Sequence, residues 1–400
     1  PERPPTKDPP DPVRKVQPMK CRIAGLVALA AAATVALVGA QEPRVTAPPQ
    51  PATGILKYVD VPAPALKKSL LPQPDTERAA VYLPPSYDGS QRRFPVVYYL
   101  PGFGDQILLY TEVRLYQGFA LKESLDRLIG QGRITEMIVV IPNGLTPLGG
   151  SFYVNSPLNG AWEDFISTDL VRYVDQNFRT LAGPASRALA GHSMGGFGAL
   201  NIAMRHPDVF AAVYALAPGL AAPGDLRTHP SFADASVRGQ VIALLDALRA
   251  QDMCRAEVTL LSQASYLNGV FDTYPLFALA YGAAFAPAQT GDSRLIEYPY
   301  HRVGTELVFD ELVWDRYERG FGDWDEKVRQ HLANLKELAS ITIDVGERDE
   351  HGWIPRGCRY LSQLLRANGV AHELVVFSGG HQDMLRERLE EHMFPTLSRV

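Results

Sequence analysis

Short, almost unbroken apolar runs recur along this chain and alternate with segments whose apolar residues fall at helical spacing. Ile55-Leu-Lys-Tyr-Val-Asp-Val61 alternates apolar and polar positions as a half-buried strand does. Residues 78–83, stopped by Pro84-Pro85, read as a second strand. Residues 94–100 are apolar throughout, which predicts a strand covered on both faces near the centre of a sheet. A glycine loop, Pro101-Gly-Phe-Gly-Asp105, ends it. Next come a helix around 121–129, a buried strand at 137–141, and a loop over 142–161 that carries Tyr153 and leads into Trp162. A helix over 163–178 follows, with Ile166, Leu170 and Val174 on one face. The apolar run Ala188-Leu-Ala190 and residues 211–216 add two strands, separated by a small-residue helix from Gly196 to about His206. The alternation resumes late in the chain with a strand at 340–345, a helix at 356–367, a strand at 372–377 and a helix at 382–391. Strands and helices alternating at this spacing predict an α/β fold, a mostly parallel sheet with helices on both faces.

Between about 220 and 335 the alternation breaks. Residues 241–250 read as helix, but 266–324 look irregular and hold thirteen Phe, Tyr and Trp residues. Such rings either build a second small core or line a cap over a site. Their position, inserted between two strands of the sheet, favours an inserted cap.

Composition changes little of this picture. Charged residues make up 21% and hydrophobic residues 46% of the 400, as in an ordinary globular chain. The formal net charge is −5, and residues 1–40 carry six Lys/Arg against three Asp/Glu, so the remainder is more acidic still. No basic cluster remains to suit nucleic acid or an anionic membrane as partner. The N-terminal stretch is more telling. From Met19 to Ala40 a basic start, an apolar middle and a small-residue end read as a signal peptide, cleaved after Ala40. The chain is then expected to be secreted or periplasmic, without stable membrane insertion after cleavage. An uncleaved N-terminal anchor is the alternative, because 23–40 is almost long enough to span a bilayer. Residues 1–18, rich in proline, read as an over-extended start or a cloning artefact, and 41–54 as a proline-rich linker. Residues 55–400 then form one domain with its insertion. Cys254 and Cys358 either pair as a disulfide or remain two buried thiols, and their spacing suggests no metal site.

The chemistry centres on Gly191-His-Ser-Met-Gly195, a G-x-S-x-G turn between a buried strand and a helix. That context is the nucleophile elbow of α/β-hydrolases, which exposes the serine at the top of the sheet. Gly191 and Gly195 are required because a Cβ at either would strike the neighbouring strand or helix, and Gly196 and Gly198 let the helix approach the sheet. A serine hydroxyl needs a base, and the base needs an orienting carboxylate. In this fold those partners follow the serine as acid, then histidine, on loops after later strands. Asp349, in Val345-Gly-Glu-Arg-Asp349, is the carboxylate placed to reach; Asp344 lies within the strand, Glu347 opens the turn, and Glu350 is the other neighbour. Among nine histidines, His381 follows two glycines after the final strand and can fold back over Ser193. His192, inside the elbow, is expected to point away from the nucleophile; His372, His392, His301 and His331 lie elsewhere by position. Backbone N–H groups of Met194 and Phe103 are the expected oxyanion donors. Trp162 and Tyr153 are candidate substrate contacts. No metal and no cofactor is implied.

With these residues in place, the chain resembles the esterase D-like family of α/β-hydrolases. The resemblance rests on Val81-Tyr-Leu-Pro-Pro-Ser-Tyr87, Pro95-Val-Val-Tyr-Tyr-Leu-Pro-Gly102, Trp162-Glu-Asp-Phe165, Gly191-His-Ser-Met-Gly-Gly196, Gly346-Glu-Arg-Asp349 and Gly380-His381. It implies Ser193, Asp349 and His381 as triad, with Phe103 and Met194 as oxyanion donors. It also implies an esterase acting on small-molecule or polysaccharide-linked esters, of feruloyl or acetyl type, or an acyltransferase of the mycolyltransferase type with the same triad. An inactive carbohydrate-binding module is a third class, and the intact order of Ser193, Asp349 and His381 speaks against it. Two departures limit the inheritance: Pro101-Gly102 stands where many members have His-Gly, and the insertion is longer than in compact members. Neither the acyl group, the alcohol nor the oligomeric state follows from the sequence.

Overall fold

The computed structural model describes residues 53–289 and 291–400, so the signal-peptide and upstream segments and most of the linker lie outside the described residues. Eight strands form the main sheet: β1 (Ile55–Pro62), β2 (Thr76–Leu83), β3 (Val96–Leu100), β4 (Ile138–Pro142), β5 (Arg187–His192), β6 (Ala212–Leu216), β7 (Ser340–Gly346) and β8 (Glu373–Phe377). Their order across the sheet is β1-β2-β4-β3-β5-β6-β7-β8. The pairs β1–β2 and β2–β4 are antiparallel, and every pair from β4 to β8 is parallel.

Strand β3 shows why the sheet is covered on both sides. All five of its residues are buried, and they alternate between layers. Val96, Tyr98 and Leu100 join the larger core, which includes Phe165, Leu170 and Phe197. Val97 and Tyr99 join the smaller one, with Leu121, Leu125 and Leu389. Helices supply both layers: α1 (Leu121–Gly130), α2 over residues 162–177, α3 (Met194–Ala203) and, later, α9 (Trp353–Ala367). Helix α2 carries one wider turn at Phe165–Leu170 between its two α-helical ends.

The insertion is not irregular. It contains α4 (Ala235–Arg249), α5 (Met253–Gly269), α6 (Thr273–Phe285), α7 (Glu311–Phe321) and α8 (Trp324–Gln330), with a small hairpin of Tyr300–Val303 and Glu306–Phe309. Asp234, Asp252 and Asp310 accept hydrogen bonds from the first-turn amides of α4, α5 and α7 and so fix where those helices begin. Helix α6 is hidden from periodicity because Pro275 to Ala284 is buried all round, leaving no polar face to mark a period. Most rings of the insertion, among them Phe232, Tyr281, Trp314 and Tyr317, are buried in the larger core. Tyr274 borders a cavity above the sheet, as do Phe277 and Phe321, which also belong to that core.

Cys254 is exposed on α5 and Cys358 is buried in α9, and both are free thiols. No helix among the described residues is long and apolar enough to cross a membrane.

Glu77, on β2, is 3% exposed. Burial pushes its carboxyl up to about 7, against a hydrogen bond from Asn143 Nδ2 that draws it down. A carboxyl with a raised folded pKa favours the folded state below its unfolded pKa, and that advantage is lost as pH rises toward 7. Glu77→Gln keeps an acceptor for Asn143 and has no charge to bury. It is expected to be more stable than the parent at pH 8 by up to about 3 kcal/mol and equal to it at pH 4, as read by denaturant unfolding at the two pH values.

Candidate active site

The elbow is built as its glycines require. Ser193 sits between β5 and α3 at φ 57° and ψ −116°, a strained conformation for a residue with a side chain. It is held by its neighbours: the Ser193 N–H donates to the Leu216 carbonyl (2.9 Å), and the Gly219 N–H donates to the Ser193 carbonyl (3.1 Å). A Cβ on Gly195 would lie 2.6 Å from the Pro101 carbonyl oxygen, and one on Gly191 would lie 2.8 Å from that of Leu100. Gly196 likewise faces the end of β6, 3.0 Å from the Leu216 oxygen. Gly198 does not serve the sheet as expected; a Cβ there would meet the Tyr153 ring at 2.6 Å.

Two later loops are stitched together beside the serine. The Glu347 N–H donates to the Phe377 carbonyl (2.8 Å) and the Arg348 N–H to the Gly379 carbonyl (2.9 Å). That pairing places Asp349 Oδ2 2.7 Å from His381 Nδ1. The other carboxylate oxygen, Oδ1, accepts the His351 backbone N–H at 2.8 Å, so both oxygens are engaged and the carboxylate cannot swing. Glu350 accepts the His381 backbone N–H at 2.9 Å. Asp344 faces elsewhere: it is fully buried and binds Tyr214 and Arg388, with Arg388 Nε at 2.9 Å.

Ser193 and His381 line one cavity of about 210 Å³, together with Phe103 and Met194. Among the described residues no acceptor takes the backbone N–H of Phe103 or of Met194. Both remain available to an oxygen above Ser193, the arrangement an oxyanion requires.

Both expected substrate contacts are elsewhere. Tyr153 and Trp162 are fully buried and do not line the cavity. The Tyr153 hydroxyl donates to the Pro101 carbonyl at 3.0 Å, bracing the loop that carries Phe103 from behind. The Trp162 indole N–H donates to the Asn159 carbonyl at 3.0 Å. Each aromatic ring precedes the elbow in sequence, and the helix or loop register sends it inward.

His192 also differs from expectation. It does not point away: it lines the cavity, with its ring centroid 4.7 Å from that of His381. Its Nε2 lies 2.9 Å from the His381 carbonyl oxygen. A carbonyl only accepts, so Nε2 carries the proton. Burial, followed by repulsion from His381, pushes His192 down to about 3, so it stays neutral. Its role is to tie the His381 loop to the elbow.

Four other residues escaped sequence reasoning. His351 and Trp353 line the cavity just after Asp349, and their closeness to it in sequence was a usable signal. Burial, then the proximity of His381, holds His351 below the usual imidazole value. His229, in the insertion, carried no signal. Asp105 lies in the glycine loop itself and is 8% exposed. It accepts from the Gly102 N–H (3.1 Å), the Tyr110 hydroxyl (2.5 Å) and the Tyr116 hydroxyl (2.6 Å), which fixes the loop offering Phe103. Asp105, three residues after Gly102, thus anchors this loop. Asp105→Leu leaves the Gly102 N–H and the Tyr110 and Tyr116 hydroxyls without their acceptor, a loss of about 1–3 kcal/mol. The oxyanion forms only in the transition state, so kcat is expected to fall roughly tenfold or more with KM little changed, as steady-state kinetics would show.

Among the described residues no group of three His, Cys, Asp or Glu side chains is placed to hold a metal ion. The site presents a serine, an imidazole held by a carboxylate, and two free backbone donors over a partly aromatic cavity. Such an arrangement can perform acyl transfer through the serine oxygen.

A family described as "Putative esterase" matches residues 74–385. The chain is 34% identical over 158 residues to an endo-1,4-beta-xylanase/feruloyl esterase of Xylanibacter ruminicola, a stretch that is 38% of this chain and 21% of that protein. It is 32% identical over 137 residues to an esterase of Mycobacterium tuberculosis, covering 33% of this chain and 27% of that one. The chain thus spans less than a third of the length of these relatives. A solved ferulic acid esterase shares the fold, with a TM-score of 0.53 at 20% identity over 87% of this chain and 98% of that one. The architecture is that of an α/β-hydrolase, a mostly parallel sheet flanked by helices.

Proposed function

The chain belongs to the esterase family that matches residues 74–385, and on that footing we propose that it is a serine carboxylic-ester hydrolase working through an acyl-enzyme. The observation that carries this reading is the 2.7 Å contact of His381 Nδ1 with Asp349 Oδ2, on a histidine that shares one cavity with Ser193. Ser193 Oγ attacks the ester carbonyl while His381 Nε2 takes the hydroxyl proton. Asp349 keeps the His381 proton on Nδ1 and stabilises the imidazolium that forms. The oxyanion is held by the N–H groups of Phe103 and Met194. His381 returns the proton to the departing alcohol, leaving the acyl group on Ser193. A water then attacks the acyl carbon, gives its proton to His381 and displaces Ser193 Oγ, which recovers it.

The substrate proposed is an ester of an aromatic or short acyl group, of feruloyl or acetyl type, on extracellular polysaccharide. It is supported by the aromatic edge of the cavity at Phe103, Phe277 and Phe321. Export is proposed on the sequence of residues 19–40 alone.

A panel of p-nitrophenyl acyl esters and methyl hydroxycinnamates, run on the purified protein with product analysis in the presence of a sugar acceptor, tests the reading. Hydrolysis of at least one class with free acid as the main product is expected. Acyl transfer to the sugar in excess of hydrolysis would move the chain to the transferases. Inactivity on the whole panel would sink the esterase reading.

A further inference from the structure

Part of the cavity lining comes from the insertion and from the start of α9, and two of its polar groups lack partners. His229 is 4% exposed and lines the cavity. Its Nδ1 accepts the backbone N–H of Ser231 at 3.1 Å. An amide nitrogen only donates, so the neutral ring must carry its proton on Nε2. Among the described residues no acceptor takes that Nε2–H, yet the atom is not sealed from solvent as the buried unpaired atoms are. Burial pushes His229 down to about 3, so it is a donor without charge. The ring is clamped in place, stacked on Phe277 at 4.5 Å and set edge-on to Trp353 at 5.6 Å.

Trp353 adds a second donor without a partner. It is 5% exposed and lines the same cavity, and its indole Nε1–H is buried with no acceptor. Buried donors without partners are costly and rare in folded proteins. Here one such buried donor, the Trp353 indole N–H, stands beside the His229 Nε2–H, which is open to solvent and likewise lacks an acceptor. Two neighbouring donors without partners are complementary to a ligand that brings an acceptor.

We propose that His229 and Trp353 form an uncharged donor subsite that recognises a neutral acceptor oxygen, a hydroxyl, ether or carbonyl, on the part of the substrate remote from the scissile ester. The proposal rests on the ester-hydrolase reading for the word substrate, while the subsite itself is defined by binding. The shared chemistry is the acceptor oxygen, and it can belong to the acyl half or to the alcohol half. The neutral donors make the subsite indifferent to ligand charge and sensitive to replacement of the oxygen by methylene, because the methylene leaves two donors unpaired.

Two matched pairs of unreactive amide analogues test it. The members of each pair differ only by an ether oxygen against a methylene, placed in the acyl half in one pair and in the amine half in the other. Binding is measured by calorimetry to Ser193→Ala protein, alone and combined with His229→Phe, His229→Asn or Trp353→Phe. In one of the two pairs the ether member is expected to bind Ser193→Ala about tenfold more tightly than its methylene partner, and that pair identifies the half that carries the oxygen. His229→Phe is expected to bring the ratio close to one, and Trp353→Phe to lower it. His229→Asn retains an acceptor for the Ser231 N–H and so the local fold, but its short amide does not reach the cavity, and it must lower the ratio as well. Ratios near one in both pairs on Ser193→Ala, no binding by any analogue, or a ratio unmoved by the His229 and Trp353 variants would each overturn the subsite. Failure of the parent protein to hydrolyse the corresponding esters would overturn the hydrolase reading instead and leave the binding ratios standing.

Discussion

Ser193→Ala is expected to lower kcat for ester hydrolysis by on the order of 10⁵–10⁶-fold while the protein stays folded. The size follows from what is lost. Without Oγ there is no covalent route, and what remains is binding together with the two backbone donors of Phe103 and Met194. Such residual machinery accelerates reaction over water by about 10³–10⁴-fold in serine hydrolases. The fold should survive because the elbow is held by backbone bonds at Ser193 N and O rather than by its side chain. Alanine at φ 57° bears about the same backbone strain as serine does. Steady-state kinetics on a p-nitrophenyl ester, beside a thermal melt, checks both halves. Activity within tenfold of the parent would remove Ser193 from the chemistry.

Asp349→Asn is expected to cost about 10⁴-fold in kcat, by a mechanism the hydrogen bonds specify. Oδ1 of Asp349 receives the His351 backbone N–H and Oδ2 faces His381 Nδ1. In asparagine the oxygen must keep the His351 amide, since two N–H groups cannot face each other. The NH2 group then points at His381 Nδ1 and forces that nitrogen to accept. The proton moves to Nε2, and the imidazole presents the wrong tautomer to Ser193. The ring stays in place, so substrate binding should change far less than kcat. A pH–rate profile with a restored rate at high pH, or a loss equal to that of Asp349→Ala, separates tautomer from position. The alternative carboxylate, Asp344, is engaged by Tyr214 and Arg388 away from His381, so its loss should show in stability before it shows in proton transfer.

The core of this architecture could be read from the chain because its signals are local. The all-apolar run ending at Leu100, the glycines flanking Ser193 and the Gly379-Gly380 turn before His381 each state a backbone requirement in a few residues. The antiparallel start of the sheet and the strand order are set by long-range pairing and were not legible. Helix α6 was hidden for a different reason: burial on every side erases the periodicity by which helices are recognised. The same ambiguity misled the aromatic residues. Tyr153 and Trp162 precede the elbow and could face either the site or the core; packing against Gly198 and the Pro101 carbonyl holds Tyr153 in the core, and a hydrogen bond to the Asn159 carbonyl holds Trp162 there. The histidines show the limit most clearly. His381 was identified by its glycine turn, His192 was assigned the wrong direction, and His229 could not be found because nothing near it in sequence announces the cavity it faces.

The central claim is that Ser193 is the nucleophile, and covalent capture tests it most directly. The full chain is treated with a fluorophosphonate and followed by intact-protein mass spectrometry and peptide mapping. One phosphonyl adduct per chain is predicted, on the peptide containing Ser193 and absent from Ser193→Ala, with labelling slowed by His381→Ala. No adduct, or an equal rate of labelling in Ser193→Ala, would contradict the account.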